Sequence, residues 1–351
     1  MFKKRFSAAL VLLFVMAIIL SACGTKDGEG TKASTETKQP EKKTLKVGMV
    51  TGAGGVNDNS FNQAGWEALQ KAQNALGIEV KYSEAKLEAD AEPDLIRFAR
   101  DGYDLTWGMG SLMGEALVKA ANSMPDSKFA IIDASLEGTI PANISTVSFK
   151  DEEGSFLMGV IAGLMTKSNK VGFLGGMKFP LIERFEYGFR AGVQTVNPKA
   201  EVSVNYVGAF NRPDQGKTFA ATMYDSGVDI IYQGAGSTGE GVFAEAKERK
   251  GVWVIGSDKD QSYLAPDQTL SSMVRRVDVG VYTITEQLNK GVFNGGTDSL
   301  LGLKEDGVGL ASSSDKNVPK DILDKAAEYR QQIIEGKIKV PQTESEFKEF
   351  K

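Results

Sequence analysis

The feature that most constrains the fold is a regular alternation, from Thr44 onward, of short apolar segments with segments of helical periodicity. Between the first two apolar segments, Phe61, Ala64, Ala68 and Ala72 recur at the three- and four-residue spacing of one helix face. Strands that alternate with helices are typical of a mostly parallel sheet covered by helices on both faces. The predicted strands of this first series are 45–51, 78–82, 103–107, 129–132 and 145–149.

The same cycle begins again after residue 150, so we predict two doubly wound α/β lobes. The second series has predicted strands at 170–174, 201–207, 228–232, 252–255 and 270–277, a helix that ends at Leu288, extended segments at 299–303 and 308–311, and a last helix at 317–336. This series contains one strand–helix unit too many for the second lobe, so we predict that the chain returns to the first lobe. The expected lobes are 44–149 plus 276–304 and 150–275 plus 305–351, joined by a hinge of several crossovers.

The N-terminal segment has the pattern of an export signal. Three basic residues, Lys3, Lys4 and Arg5, precede an apolar run at 7–20 that is too short to cross a bilayer comfortably. The sequence Leu-Ser-Ala-Cys that ends at Cys23 resembles a bacterial lipobox. This resemblance implies removal of the signal peptide 1–22 and attachment of a diacylglyceryl group to Cys23, with a further acyl chain such as palmitate at the new amino terminus. The alternatives are an ordinary secretory signal with a chance cysteine and an N-terminal anchor helix.

Residues 24–43 contain no large apolar side chain, so we predict a disordered tether over 23–43. Two acyl chains hold a protein on a membrane far better than one. We therefore expect a lipid-anchored protein on the extracytoplasmic face of the cell membrane.

Composition excludes several classes of function. The chain has no histidine and one cysteine, which removes Ser-His-Asp and Cys-His nucleophile systems and His-based metal sites. Its net charge is −5, and the signal segment carries three positive charges and no negative ones, so the rest of the chain is more acidic still. A surface of this kind does not attract nucleic acid. We expect no enzyme, no cofactor and no nucleic-acid partner.

A glycine-rich loop follows the predicted strand 228–232. Residues 234–239 read G-A-G-S-T-G, and Asp258 stands at the end of the next predicted strand. This is the fingerprint of a dinucleotide site, in which glycines allow close approach of the backbone and a carboxylate binds ribose hydroxyls. The loop lies in a late strand–helix unit rather than the first, which disfavours a nicotinamide or flavin dehydrogenase. The combination of a glycine loop with a ribose-binding Asp258 remains open.

We also predict no metal site. Asp258 and Asp260 invite comparison with a calcium-binding EF-hand loop. Tyr263 stands where that loop needs glycine and Thr269 where it needs glutamate, so the pattern does not fit.

An ordered set of motifs resembles the basic-membrane-protein family, whose members are substrate-binding lipoproteins of ABC importers and whose best understood branch binds purine nucleosides. The resemblance implies a type I periplasmic-binding-protein-like fold, a nucleoside ligand held between two lobes, and permease subunits in the membrane as partners. The motifs that carry it are the lipobox, N-D-N-S-F-N at 57–62, the strand before Asp133, G-A-F at 208–210, the loop 234–239, G-S-D-K-D-Q at 256–261 and M-V-R-R-V-D at 273–278.

The resemblance implies that two phenylalanines, one from each lobe, sandwich the purine ring. The matching residues are Phe61 and Phe210. Aromatic rings bind a planar base through its π-face. Phe61 also fits the apolar face of its own helix and could be a core residue. Phe210 follows the carboxyl end of a strand, where open α/β sheets bind ligands, or it could pack between the lobes.

Two carboxylates match the polar contacts of the family. Asp133 corresponds to the residue that accepts hydrogen bonds from the base edge, and an acceptor-only group favours a ring with N–H groups such as that of guanine. Asp258 corresponds to the residue that binds both ribose hydroxyls. Either aspartate could instead cap the helix that follows it.

Four further residues complete the expected ligand site. Asp58 and Asn62 belong to the motif around Phe61, and Asn62 would add a side-chain hydrogen bond. Gly236 would add a backbone hydrogen bond. Arg275 stands where the family usually has lysine, which keeps the charge but changes the geometry of the contact.

These expectations predict a receptor that closes over a guanosine-like purine nucleoside and delivers it to a permease. Three alternatives are a sugar or other small-solute receptor of the same fold, an NAD-linked oxidoreductase, and a sugar-responsive transcription regulator. The last requires a helix-turn-helix, whereas the N-terminus here has the pattern of a signal and tether.

Overall fold

The computed structural model describes residues 44–134, 136 and 138–351, and residues 44–351 form one compact unit. Each predicted strand is present, and the ends differ from the prediction by at most about three residues. The twelve strands are β1 (Lys46–Thr51), β2 (Glu79–Glu84), β3 (Leu105–Met109), β4 (Phe129–Ile132), β5 (Ile144–Phe149), β6 (Lys170–Gly175), β7 (Glu201–Tyr206), β8 (Ile230–Gly234), β9 (Trp253–Asp258), β10 (Thr269–Arg275), β11 (Thr297–Leu301) and β12 (Val308–Leu310).

The strands form two six-stranded sheets of matching topology. The first has the order β11-β5-β4-β3-β1-β2 and the second has the order β12-β10-β9-β8-β6-β7. All neighbouring strands are parallel except β12, which runs antiparallel to β10. The strands are therefore divided into two lobes, as the alternating pattern predicts. In the order given above, β4 and β9 each stand third in their sheet.

Helices lie between the strands in the order of the predicted cycle. They are α1 (Phe61–Leu76), α2 (Ala91–Arg100), α3 (Gly114–Ser123), α4 (Asp151–Met165), α5 (Pro180–Val196), α6 (Pro213–Asp225), α7 (Glu240–Lys247), α8 (Val277–Asn289), α9 (Lys320–Ile334) and α10 (Glu344–Glu349). Within the residues given above, no helix is long and apolar enough to cross a membrane.

The chain crosses between the sheets three times, after β5, after β10 and after β11. The return to the first sheet is fixed at α8 by packing against α1 and by a hydrogen bond from Nε1 of the buried Trp107 to Oγ1 of Thr285, 3.3 Å long. Backbone hydrogen bonds join the crossovers, from Lys150 to the carbonyl of Leu301 (3.0 Å) and from Arg276 to that of Gly307 (2.8 Å). The lobe boundaries given above stay a prediction.

The second lobe contains an unusually close helix pair, α4 against α5. A methyl group on Gly159 would lie 2.1 Å from the carbonyl oxygen of Phe189, and one on Gly192 would lie 2.1 Å from that of Phe156. Side chains at these two positions would overlap the facing backbone, so the contact requires glycine. A methyl group on Gly188 would likewise lie 2.4 Å from the carbonyl oxygen of Glu152, in the first turn of α4, which begins directly after the first crossover.

One prediction about the end of the chain is wrong. The helix expected at 317–336 is α9, but it is not the last helix, because α10 follows it. The signal was present in the sequence: Thr343 and Glu346 form a capping-box pattern. The Thr343 side chain accepts a hydrogen bond from the Glu346 amide (3.2 Å), and Glu346 accepts one from the amide of Gln342 (2.8 Å). The signal peptide, Cys23 and the tether lie outside the described residues.

Candidate functional site

A cavity of about 320 Å³ lies where the carboxyl ends of strands from both sheets face each other. Its volume falls in the usual range for small-ligand sites, and its position follows the rule for open α/β sheets. All eight residues predicted to bind ligand line it. They are Asp58, Phe61, Asn62, Asp133, Phe210, Gly236, Asp258 and Arg275.

The two phenylalanines reach the cavity from opposite sheets. Phe61 is the first residue of α1, and Phe210 follows β7; both are half-buried. Ala64, Ala68 and Ala72 on the same face of α1 are buried, and Phe61 is the residue of that face that lines the cavity. A methyl group on Gly176 would come within 2.4 Å of the Phe210 ring, so glycine there leaves room for the ring. Phe179 packs edge-on against Phe210, with ring centroids 6.2 Å apart.

Asp58 positions the first turn of α1. Its carboxylate accepts hydrogen bonds from the backbone amides of Ser60, Asn62 and Gln63 at 2.9 to 3.0 Å. The N-cap residue is Ser60, whose own side chain does not cap the helix. Burial raises the pKa of Asp58 to about 6, although the three amide bonds favour the charged form. Asp58 therefore contributes to the cavity mainly by fixing Phe61 and Asn62.

Asp133 and Asp258 occupy equivalent places in the two sheets. Asp133 directly follows β4 and Asp258 ends β9, each the third strand of its sheet. Both have left-handed backbone conformations, with φ of 70° and 69°, and both are buried. Such conformations are uncommon for residues other than glycine and tend to occur at functional sites. The fold thus places one carboxylate from each lobe at the same depth of the cavity.

Arg275, the last residue of β10, joins these carboxylates. Its Nη2 donates to Oδ1 of Asp133 and its Nη1 donates to Oδ1 of Asp258 (3.1 Å). Its Nε lies 2.7 Å from Oδ1 of Asp151, as an ion pair outside hydrogen-bond geometry. All four side chains are buried. We call Arg275, Asp133, Asp151 and Asp258 the charge hub.

The electrostatics of the charge hub depend on mutual compensation. Burial alone would lower the pKa of Arg275, but the three carboxylates outweigh it and raise that pKa. Burial raises the pKa of Asp133 and of Asp151, and Arg275 opposes this rise in both. The guanidinium also lies over aromatic rings, 5.5 Å from the centroid of Phe61 and 4.8 Å from that of Phe149.

The glycine-rich loop after β8 supports Phe210. Residues 236–239 form a short 3₁₀ helix, and Gly236 has a φ of 57°. The carbonyl of Phe210 accepts hydrogen bonds from the Ser237 hydroxyl (3.0 Å) and the Thr238 amide (3.1 Å). A methyl group on Gly239 would lie 2.0 Å from Oε1 of Gln233. Packing around Phe210 and Gln233 thus accounts for glycine at 236 and 239 without a bound dinucleotide.

The loop before α1 meets the loop after β9 across the cleft. Ser60 donates to Oδ2 of Asp258 (2.5 Å), and Tyr263 donates to Oδ1 of Asn59 (2.7 Å). Lys259 bridges to both carboxylate oxygens of Glu67, at 2.7 and 2.8 Å. The structure is therefore a conformation in which the two lobes are in contact on this side of the cavity.

Comparison with known proteins identifies the family. The model of the family described as ABC transporter substrate-binding protein, PnrA-like, matches residues 45–344. The chain belongs to this family. The family consists of substrate-binding receptors of ABC transporters rather than enzymes, so the oxidoreductase alternative is wrong.

Two curated relatives align over 97% of the chain and 99% of their own length. One is the CD4+ T-cell-stimulating antigen of Listeria innocua, at 42% identity, and the other is the ABC transporter nucleoside-binding protein BmpA of Lactococcus lactis, at 37% identity. A solved structure of a solute-binding protein of an ABC transporter system from Aeropyrum pernix has a TM-score of 0.80 and 30% identity, and the match covers 87% of this chain and 96% of that one. The chain is thus a substrate-binding protein of an ABC transporter with the type I periplasmic-binding-protein-like fold.

Reasoning from the sequence missed Asp151 and the role of Ser60. Asp151 follows β5 almost directly, and its position as a carboxylate near a strand's carboxyl end, which it shares with Asp133 and Asp258, is the sequence signal that could have indicated it. No local pattern in the sequence shows that the Ser60 hydroxyl meets Asp258, 198 residues away along the chain.

Proposed function

We propose that the chain is the receptor for a purine nucleoside, guanosine-like by preference, and that it delivers this ligand to the permease subunits of its transporter. The supporting observation is that Phe61 and Phe210, from opposite sheets, line one cavity together with Asp133 and Asp258. Two aromatic faces suit a planar base, and carboxylates suit a ligand rich in N–H and O–H donors.

Asp133 is the proposed acceptor for the base edge. Guanine presents its N1–H and amino group side by side, and a carboxylate can accept both. Hydrogen bonds to a charged group contribute about 1.5–3 kcal/mol each, more than neutral ones. A base without these donors leaves a buried carboxylate poorly compensated, which is the basis of the preference for guanosine over adenosine.

Asp258 is the proposed acceptor for the ribose. Arg275, Ser60 and Ser257 already donate to it, at 3.1, 2.5 and 3.2 Å. A carboxylate has about four acceptor positions. One ribose hydroxyl uses the remaining position, and a second replaces the Ser60 hydroxyl with a bond of the same kind.

The likeness to a relative named as a nucleoside-binding protein supports the ligand class. The lipobox supports attachment of the protein to the membrane through Cys23. Partition of the expressed protein into a detergent phase tests that attachment. Cys23→Ala should leave the protein in the aqueous phase, and an unchanged partition would contradict lipidation at this residue.

The test of the ligand is native mass spectrometry of the purified protein, followed by calorimetry with guanosine, inosine, adenosine, uridine, guanine, ribose and galactose. We expect guanosine to bind most tightly and the sugars to bind weakly or not at all. Binding of a sugar in preference to every nucleoside would overturn the proposal in favour of a sugar receptor of the same fold.

Substitution of Phe210 tests the stacking contact. Phe210→Ala should weaken purine nucleosides by about 1–3 kcal/mol, the range for loss of one base–aromatic stack. Phe210→Leu is the matched control, since it keeps apolar bulk without a π-face, and it should recover only part of the affinity in calorimetry. Unchanged binding by Phe210→Ala would assign the residue to packing between the lobes.

A further inference from the structure

Asp151 is a buried carboxylate that the proposed ligand contacts do not use. It is the first residue of α4, two residues after β5 ends, and so lies where the chain first crosses from one sheet to the other. It is fully buried and is not part of the cavity lining. Its position is behind the cavity, at the hinge.

The contacts of Arg275 show what Asp151 faces. Each nitrogen of the guanidinium meets a different carboxylate: Nε meets Asp151, Nη1 meets Asp258 and Nη2 meets Asp133. A guanidinium is a rigid planar fork, so fixing one nitrogen fixes the directions of the other two. Asp151 is therefore placed to determine how Arg275 presents its two remaining nitrogens to Asp133 and Asp258.

The two partners also stand at two different crossovers. Arg275 ends β10, immediately before the second crossing, and Asp151 begins α4, immediately after the first. The Asp151–Arg275 ion pair thus joins two hinge segments by side chains, on the side of the hinge that faces the cavity. The Arg275 side chain therefore contacts both the first residue of α4, next to the first crossover, and the two carboxylates that line the cavity.

The desolvation free energy of the Asp151–Arg275 pair is high for a contact with only a structural role. Among the described residues, neither oxygen of Asp151 has a hydrogen-bond partner, and three carboxylates share one cation. The attraction within a buried ion pair offsets its desolvation free energy poorly unless hydrogen bonds satisfy the remaining polar atoms. Proteins in which apolar residues replace such a pair are often as stable. An unsatisfied buried group of this kind calls for an explanation other than stability.

We propose that Asp151 is a positioning residue, which holds Nε of Arg275 so that the guanidinium orients Asp133 and Asp258 toward the ligand and couples their occupancy to the first inter-lobe crossover. When ligand N–H and O–H groups donate to Asp133 and Asp258, Asp151 keeps the cation compensated and in place. This inference rests on the proposed function for the roles of Asp133 and Asp258.

The first test compares Asp151→Asn with Glu152→Gln in calorimetry with guanosine. Glu152 is the matched control: it is the next residue, it is also buried in the first turn of α4, and it accepts a hydrogen bond from Gln342 (2.8 Å). We expect Asp151→Asn to bind guanosine at least 10-fold more weakly and Glu152→Gln to bind within 2-fold of the wild type. Equal affinities for the two variants, whatever their thermal stability, would overturn the inference.

A double-mutant cycle tests whether Asp151 acts through Arg275. In an Arg275→Gln background, Asp151→Asn should change the affinity by less than 3-fold, because the residue it positions is gone. A full 10-fold loss in that background would contradict the inference. If Arg275→Gln does not fold, Arg275→Lys replaces it, and Asp151→Asn should cost less there than in the wild type.

Failure of the proposed function gives a different result. In that case the wild type does not bind guanosine at all, and the same variants are compared with the compound of the calorimetric panel that does bind. The coupling between residues 151 and 275 is then tested with that compound, by the same outcomes.

Discussion

Two regions hold the lobes together by ion pairs, and they differ in solvation. In the charge hub, Arg275 and its three carboxylates are at most 8% exposed, whereas the side chains of Lys259 and Glu67 are 20% and 48% exposed. Water screens the second pair and can replace either partner, whereas the side chains of the first are almost fully shielded from it. The same type of contact is therefore a fixed structural element at the hinge and an adjustable one at the edge of the cleft.

The largest expected effect is the loss of the cation in the charge hub. Arg275→Ala leaves three buried carboxylates without compensation, and the free energy of unfolding should fall by about 3–5 kcal/mol. Arg275→Lys, which keeps the charge, should lose less. Urea denaturation measures both. An Arg275→Ala protein as stable as the wild type would show that the hub and the exposed pair do not differ in energy.

The second prediction concerns Glu152, a buried carboxylate outside the hub. Burial raises its pKa to about 7, above the usual 4.5. The stability that follows from this raised pKa is complete below pH 4.5 and is lost as the pH rises through 7. Between pH 4.5 and 8, Glu152→Gln should therefore gain up to about 3 kcal/mol of unfolding free energy relative to the wild type.

Urea denaturation of both proteins at several pH values checks this prediction. Asp214→Asn is a suitable control, because this exposed carboxylate has a lowered pKa through its hydrogen bond with Arg212. A difference between Glu152→Gln and the wild type that does not change with pH would mean that Glu152 titrates normally, and burial alone would then not distinguish it from an exposed acid.

The third prediction separates the two equivalent carboxylates of the hub. Asp258→Ala should weaken nucleosides by about 10–100-fold and free bases much less, because it removes the acceptor for ribose. Asp133→Asn should weaken nucleosides and bases alike. Calorimetry with guanosine and guanine measures both. Equal losses for guanosine and guanine in Asp258→Ala would reject its assignment to the ribose.

The smallest effect is expected at the exposed pair. Lys259→Met removes the bridge to Glu67 but leaves both positions solvated, so the unfolding free energy should change by less than about 1 kcal/mol. The difference from the wild type should shrink further in high salt, where such pairs are screened. A loss as large as that of Arg275→Ala, or one independent of salt, would remove the distinction between the two regions.

Many of the strands, helices and site residues can be predicted from local patterns in the sequence. Strand and helix periodicity predict the strands and the main helices, and an extra strand–helix unit predicts the return of β11 to the first sheet. The position of Phe210 after a strand supports its place at the ligand edge, since parallel strands bring their carboxyl ends to one edge, whereas the roles of Asp133 and Asp258 are implied by the family resemblance. The capping pattern at Thr343 also indicates α10.

Other features exist only because distant segments meet. Nothing near Asp151 in the chain indicates that its partner is Arg275, and nothing near Ser60 indicates Asp258. The left-handed conformations of Asp133 and Asp258 are likewise held by the surrounding fold. Periodicity and turn chemistry are local properties and can be read from neighbouring residues, whereas burial and charge compensation depend on which side chains the three crossovers bring together. The sequence alone determined the two lobes and the edge at which a ligand is expected; the tertiary structure decided how the charges at that edge are shared.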